Sequence, residues 1–148
     1  GYLYLVNFKP GRWPSGNPET GYLDCDASPV KTLILEMRRN GTSRDYWNLS
    51  FGKRGEEELY KLSDDPACIT NLAGNPGLNP LRQKLRSELL RRLKEQGDPR
   101  VSENGDIFDK YPYASDNVRD FHNRFMKGLL PRKSAGWVDS TDFEDPVY

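Results

Sequence analysis

Two stretches of the chain alternate between faces in the way that strands do. Residues 2–8 are apolar or aromatic on both faces, which is typical of a strand inside a sheet. Residues 58–62 alternate as well but include Glu58 and Lys61, which indicates a strand with one wet face or a place near the sheet edge. Pro66 then ends this second strand, because proline lacks an amide donor and fixes φ.

Four segments have the spacing and end signals of amphipathic helices. The first begins at Ser28-Pro29, where serine can cap the helix and proline suits its first turn, and it ends at Asn40-Gly41. A short helix is predicted over residues 44–51 and the longest over residues 80–96. A last helix is predicted over residues 116–127.

Apolar residues recur on one side of the first and longest helices. In the first, the predicted buried face consists of Val30, Leu33, Ile34 and Met37. In the longest, a leucine stripe is formed by Leu81, Leu85, Leu89 and Leu93, with Leu78 and Leu90 beside it. Burying this stripe would contribute about 10 kcal/mol before ordering entropy is subtracted. We therefore predict an α+β fold, with a small antiparallel sheet of about four strands covered on one face by the longest helix.

Composition limits the classes of partner. The 148 residues carry 22 basic and 22 acidic side chains, so net charge gives no reason to expect nucleic acid as a partner. No apolar run reaches the roughly 20 residues that span a bilayer, and no membrane partner is expected. Because the chain begins directly in a strand without an initiator Met, we expect it to be the end of a longer polypeptide.

The residues offer little catalytic chemistry of their own. Cys25 and Cys68 are compatible with one disulfide or with two thiols. The single histidine, His122, lies on the apolar face of the last predicted helix, so a structural role is favoured over a catalytic triad. The acidic run at residues 56–58 fits a solvated turn better than a glycosidase pair. No metal site is predicted.

One segment carries a recognisable signature. The sequence Glu58-Leu59-Tyr60-Lys61-Leu62-Ser63-Asp64-Asp65-Pro66, followed by Asn71-Leu72-Ala73, resembles the segment near the carboxyl end of type I sulfatases. Residues 5–10 upstream and 94–99 downstream are similar to the same region of N-sulfoglucosamine sulfohydrolases, which are the heparan N-sulfatases or sulfamidases. The resemblance covers roughly residues 2–108 and continues more weakly into the tail.

The resemblance implies that this chain and the catalytic machinery belong to different domains of one enzyme. Residues 1–110 would be the α+β carboxyl-terminal domain of a sulfatase, and residues 111–148 a helical and irregular tail. The parent enzyme would be exported and would hydrolyse sulfate from sulfated sugars, with formylglycine and calcium supplied by a catalytic domain that is the expected partner. Neither cysteine lies in the C/S-x-P-x-R motif that yields formylglycine, so this chain alone is expected to be inactive.

The loop from Lys9 to Lys31 is the candidate ligand-binding segment. An aromatic ring with surrounding polar groups suits saccharide recognition, and the residues of this kind are Arg12, Trp13, Asn17, Glu19, Asp24, Asp26 and Lys31. By resemblance, this loop would lie near the rim of the substrate pocket. The alternative is that Trp13 packs against the sheet or the catalytic domain and that the charges are ordinary surface. The surface that faces the catalytic domain should be apolar.

A second function class stays open at this point. The chain could be a free-standing carbohydrate-binding or protein-interaction module without catalysis. Several hundred upstream residues with a C/S-x-P-x-R motif would support the sulfatase interpretation, and an unrelated upstream domain would support the module. The sugar, its linkage and the choice between N-sulfate and O-sulfate cannot be read from these residues.

Overall fold

The computed structural model describes residues 1–102, 104–116 and 118–145. The chain divides into two compact units that are interleaved in sequence. The first unit contains residues 1–10 and 55–112, and the second contains residues 11–54 and 113–148. The sequence analysis divided the chain at residue 110 by resemblance to the sulfatase domain, and that division stays a prediction.

The first unit is built on an antiparallel pair of strands, β1 (Tyr2–Val6) and β2 (Glu57–Lys61). Leu3 lies opposite Tyr60, and Leu5 lies opposite Glu58. Both predicted strands are thus confirmed. In the part of the chain that the structure describes they are the whole sheet, so the expectation of about four strands is not met. The intervening residues 11–54 form the second unit instead of adding strands to this one.

The longest helix of the first unit begins and ends close to the predicted residues. Helix α3 spans Asn79–Glu95, with proline in its first turn, and it packs against β1. Its leucine stripe is only half-buried, and no residue of the helix is fully buried. A sheet of two strands offers too little surface to cover six leucines, so the stripe contributes less than the full burial predicted.

The described residues of the second unit form three α-helices, α1 (Pro29–Arg39), α2 (Asp45–Ser50) and α4 (Phe121–Met126). Helix α1 begins as predicted, because the Ser28 side chain accepts a hydrogen bond from the Lys31 amide at 3.2 Å. Helix α4 begins at Phe121, five residues after the predicted start at residue 116. Asp120 precedes it with φ of 53°, a left-handed conformation in which the chain is not yet helical.

The core of the second unit is made of aromatic and aliphatic side chains from both of its sequence segments. One cluster consists of Tyr22, Leu35, Trp47 and Phe51. A second cluster is formed by Phe121, Ala135 and Val138, with Leu23, Trp137 and Phe143 packed around it. The tail from residue 113 therefore contributes nearly half of this unit, whereas the resemblance implied only a helical and irregular tail.

The buried face of α1 differs from the predicted one. Val30 and Leu33 are 66% and 55% exposed, whereas Lys31 and Leu35 are buried. Ile34 and Met37 of the predicted face are half-buried, and Ile34 packs against the core. The apolar spacing therefore identified only part of the buried face, because a lysine in the core contributes no hydrophobic signal to the pattern. Val30 and Leu33 are consequently an apolar patch on the surface of the second unit.

Candidate functional site

The predicted ligand-binding loop is a packed part of the second unit. Its centre is Tyr22, which is fully buried and has φ of 56°, a conformation that is rare for aromatic residues. The Tyr22 hydroxyl accepts a hydrogen bond from Trp47 Nε1 at 2.8 Å and donates one to Glu144. Burial and the bond to the Glu144 carboxylate raise the pKa of Tyr22 well above its usual value of 10.0.

Lys31 lies inside the unit. Its Nζ donates to the carbonyl oxygens of Gly21 and Cys25, each at 2.7 Å, and lies 3.0 Å from Asp142 Oδ2. The lysine and aspartate side chains are each 1% exposed. Every donor of this ammonium group is therefore directed at protein oxygen, and in this conformation Lys31 holds the loop to α1 and to the tail.

Trp13 packs on the core, so its ring is not a free platform for a sugar. Its ring meets that of Trp47 edge to face, with centroids 6.2 Å apart. The Lys53 ammonium lies 4.7 Å from the Trp13 ring centroid, a cation–π distance. This arrangement agrees with the alternative that Trp13 is a packing residue, although its partner is Trp47 and not the sheet.

Two of the candidate residues, Asn17 and Asp24, line a cavity of about 410 Å³ in the second unit. The other described residues around it come mainly from the tail and include Tyr113, Asp120, Asn123 and Trp137. A cavity of this volume is in the range of small-molecule sites. Arg12 and Asp26 are exposed on the same loop but do not line this cavity.

Glu19 does not line the cavity but lies beside a residue that does. Its Oε2 is 3.5 Å from Nε2 of His122, which lines the cavity, and this carboxylate oxygen makes no hydrogen bond in the described part of the chain. The distance allows an ion pair once the imidazole is protonated. His122 is thus held beside a carboxylate by a turn of the predicted loop, a relation that connects Glu19 with the site indirectly.

The charges around the cavity have one sign. Asp24 and Asp120 contribute carboxylates, and none of the described lining residues is a lysine or an arginine. The Asp24 side chain makes no hydrogen bond or ion pair within the described residues, whereas Asp120 Oδ1 accepts a hydrogen bond from Asn123 at 2.5 Å. Asn17 and Asn123 add amides, which can donate as well as accept. The described lining therefore carries two carboxylates and no lysine or arginine to balance them.

The sequence analysis did not identify the tail residues of this site. Tyr113, Asp120, Asn123 and Trp137 are about 90 to 120 residues from Asn17 in sequence. The sequence predicts a continuous helix through residues 120–123, whereas the backbone turns left-handed at Asp120 and both Asp120 and Asn123 line the cavity. No local pattern in the sequence indicates that the tail folds back to the loop that contains Asn17 and Asp24.

In the first unit, the signature segment is held together by its own polar side chains. Asn71 Oδ1 accepts from the amides of Leu59 and Ala73 at 3.0 and 2.9 Å, and its Nδ2 donates to the Glu57 carbonyl at 3.1 Å. The Asp65 carboxylate accepts from two amides of the following turn, those of Ile69 and Thr70. Asn71 and Asp65 therefore hold the Asp-Pro turn and the residues after it against β2.

A charged cluster joins α3 to the sheet in the same unit. Glu57 accepts hydrogen bonds from the Tyr4 hydroxyl at 2.9 Å and from Arg86, and it pairs with Arg82 at 3.0 Å. Partial burial acts to raise the pKa of Glu57, but the hydrogen bonds from Tyr4 and Arg86 outweigh it, so the pKa lies below the ordinary value. The charge of Glu57 is therefore compensated within the protein.

Neither a cluster of metal ligands nor a disulfide is present among the described residues. Among the described residues, no three His, Cys, Asp or Glu side chains are grouped as metal ligands. Cys25 and Cys68 are both free thiols. Across residues 1–102, 104–116 and 118–145, no helix combines the length and the apolar character needed to cross a membrane.

Comparisons with known proteins gave no relative for this chain. Neither protein-family models, nor curated proteins, nor solved structures matched it.

Proposed function

We propose that this chain is the carboxyl-terminal scaffold of a type I sulfatase, of the kind that acts as a heparan N-sulfatase. The observation that carries the proposal is the use of Asn71. Its side chain satisfies three backbone groups of the signature segment, so the residues of the resemblance have a structural purpose as a unit. A signature whose polar groups bond internally suits a scaffold better than a reaction centre.

In this proposal the chemistry belongs to another domain. The nucleophile would be a formylglycine and the metal would be calcium, and both would be held by the catalytic domain as partner. Calcium needs six to eight oxygen ligands, with carboxylates prominent among them. The described residues contain no grouping of three such side chains, so the fit is poor here, and no catalytic step is assigned to this chain.

The second unit would contribute to the pocket rim for a sulfated saccharide. Asn17 and Asp24 line the cavity, and Glu19 lies against its His122. Lys31 is left out of this role because its ammonium group is buried against Asp142. Arg12 and Asp26 stay as predicted rim residues that lie outside the cavity, whereas Trp13 packs against Trp47.

Hydrolysis by the longer protein tests the sulfatase proposal. The protein encoded with its upstream sequence should release sulfate from glucosamine N-sulfate, and the 148-residue chain should not. In that longer protein, Glu19→Gln and Asn17→Ala should lower kcat/KM, while Asp45→Asn, which removes an exposed acid of the same unit, should leave it unchanged. Wild-type kcat/KM in both rim variants would refute the rim role, and no sulfate release would refute the sulfatase.

The alternative is a saccharide-binding module without catalysis, and the cavity is the observation that favours it. A site with carboxylates, amides and aromatic neighbours can bind a sugar without any reaction. Sulfate release by the longer protein distinguishes the two functions. A module predicts saccharide binding by the 148-residue chain together with no sulfate release by the longer protein.

A further inference from the structure

The cavity of the second unit has a charge that does not match a sulfated ligand. Its described lining includes the Asp24 and Asp120 carboxylates and no lysine or arginine. Proteins that bind sulfate or phosphate groups usually supply cations or converging amide donors to them. A sulfate group in this cavity would lie near two carboxylates, and like charges at close range repel one another.

The same lining suits a group that donates hydrogen bonds and carries positive charge. The Asp24 carboxylate is exposed and makes no hydrogen bond or ion pair within the described part of the chain, so its acceptor capacity is open to solvent and to a ligand. Asp120 shares one oxygen with Asn123 and keeps acceptor sites on the carboxylate. Asn17 and Trp137 complete a wall of mixed polarity, the kind of surface that a sugar ring contacts.

From this geometry we propose that the cavity is a binding site for an amino sugar, with its ammonium group recognised by Asp24 and Asp120. The inference rests on the proposed function only in taking the ligand to be a saccharide. It adds that the sugar enters with a free amine and without a sulfate on that amine. Under the sulfatase proposal, the site would select desulfated residues of the saccharide.

Binding to the 148-residue chain tests the charge preference directly. Three probes share one ring and differ at one nitrogen, namely glucosamine, N-acetylglucosamine and glucosamine N-sulfate. Titration followed by NMR suits weak ligands, and the affinity should fall in that order. We expect about a tenfold difference between the first and the last, and a loss of glucosamine affinity in about 0.5 M salt.

The indole signals locate the site. The chain has three tryptophans, Trp13, Trp47 and Trp137, of which only Trp137 lines the cavity. Its Nε1–H donates to the Leu23 carbonyl at 2.7 Å, so the signal is ordered and sensitive to its surroundings. Glucosamine should shift the Trp137 indole signal and leave that of Trp47, which is buried in the core, in place.

Two variants and one control complete the experiment. Asp24→Asn and Asp120→Asn should each weaken glucosamine binding about five- to tenfold. Asparagine tolerates the left-handed backbone at position 120, so the fold is kept. Asp45→Asn removes an equal charge from an exposed position of the same unit outside the cavity and should bind like wild type.

The outcomes separate this inference from the proposed function. Equal or tighter binding of glucosamine N-sulfate, no binding of glucosamine, or a shift confined to Trp13 would each overturn the amino-sugar site. If the longer protein still releases sulfate in that case, the sulfatase proposal stands without the site. If the amine binds as expected and no sulfate is released, the site stands and the sulfatase proposal fails.

Discussion

Lys31 Nζ lies 3.0 Å from Asp142 Oδ2, and both side chains are 1% exposed. The lysine also donates to two backbone carbonyls, whereas Asp142 Oδ1 has no hydrogen bond among the described residues. A buried ion pair of this kind joins the first helix of the second unit to its tail. Removing one partner leaves the other charge buried and uncompensated.

We therefore predict that Lys31→Met or Asp142→Leu lowers the free energy of unfolding by about 3–5 kcal/mol. The double variant should recover part of the loss, because an apolar pair of similar volume avoids desolvation. The recovery is incomplete since the carbonyls of Gly21 and Cys25 lose their donor. Chemical denaturation measures this, with exposed Lys127→Met as the control. Single variants as stable as the control would show that the pair is dispensable.

Asn71 is predicted to be the most sensitive polar residue of the signature segment. Asn71→Ala removes three hydrogen bonds and leaves the amide of the buried Leu59 unpaired. We expect a loss of about 2–3 kcal/mol in the free energy of unfolding. Asn75→Ala is the matched comparison, because Asn75 accepts one bond, from Gly77, at an exposed turn. Equal losses in the two variants would contradict the role given to Asn71.

Acid should loosen the first unit through Glu57. The pKa of Glu57 is lowered in the folded chain below its usual 4.5, so its contribution to stability is present above pH 4.5 and is lost as the pH falls through the lower folded pKa. Denaturant unfolding at a series of pH values down to about pH 2 measures the loss. In Glu57→Gln this part of the pH dependence should disappear. An unchanged pH profile would show that the cluster with Tyr4 and Arg86 does not stabilise the unit.

Alkali should act on the second unit through Tyr22. Burial and the bond to Glu144 raise the pKa of this phenol in the folded chain, so its contribution is complete below the unfolded pKa of 10.0 and is lost as the pH rises above it. NMR of labelled tyrosine should show Tyr22 ionising only as the chain unfolds. The chain with Tyr22→Phe should lack this alkaline slope while losing about 1–3 kcal/mol at neutral pH. Ionisation of Tyr22 near pH 10 in the folded chain would contradict the prediction.

Neighbouring residues determined much of the local structure. The strands at residues 2–6 and 57–61, the cap at Ser28 and the bounds of the long helix at residues 79–95 all agree with the pattern of the sequence. Periodicity, proline positions and capping side chains act within a few residues, so these features can be read without the fold. The Asp-Pro turn after β2 is likewise determined by residues close to it in sequence.

Tertiary structure decided which of these elements meet and where the polar groups go. The sequence by itself placed Lys31 among exposed binding residues, but its partner Asp142 is 111 residues away. It also could not join Asn17 and Asp24 to Asp120 and His122 in one cavity. Contacts at such separations depend on the packing of the whole unit, and the pattern of apolar residues does not record a buried charge that another part of the chain compensates.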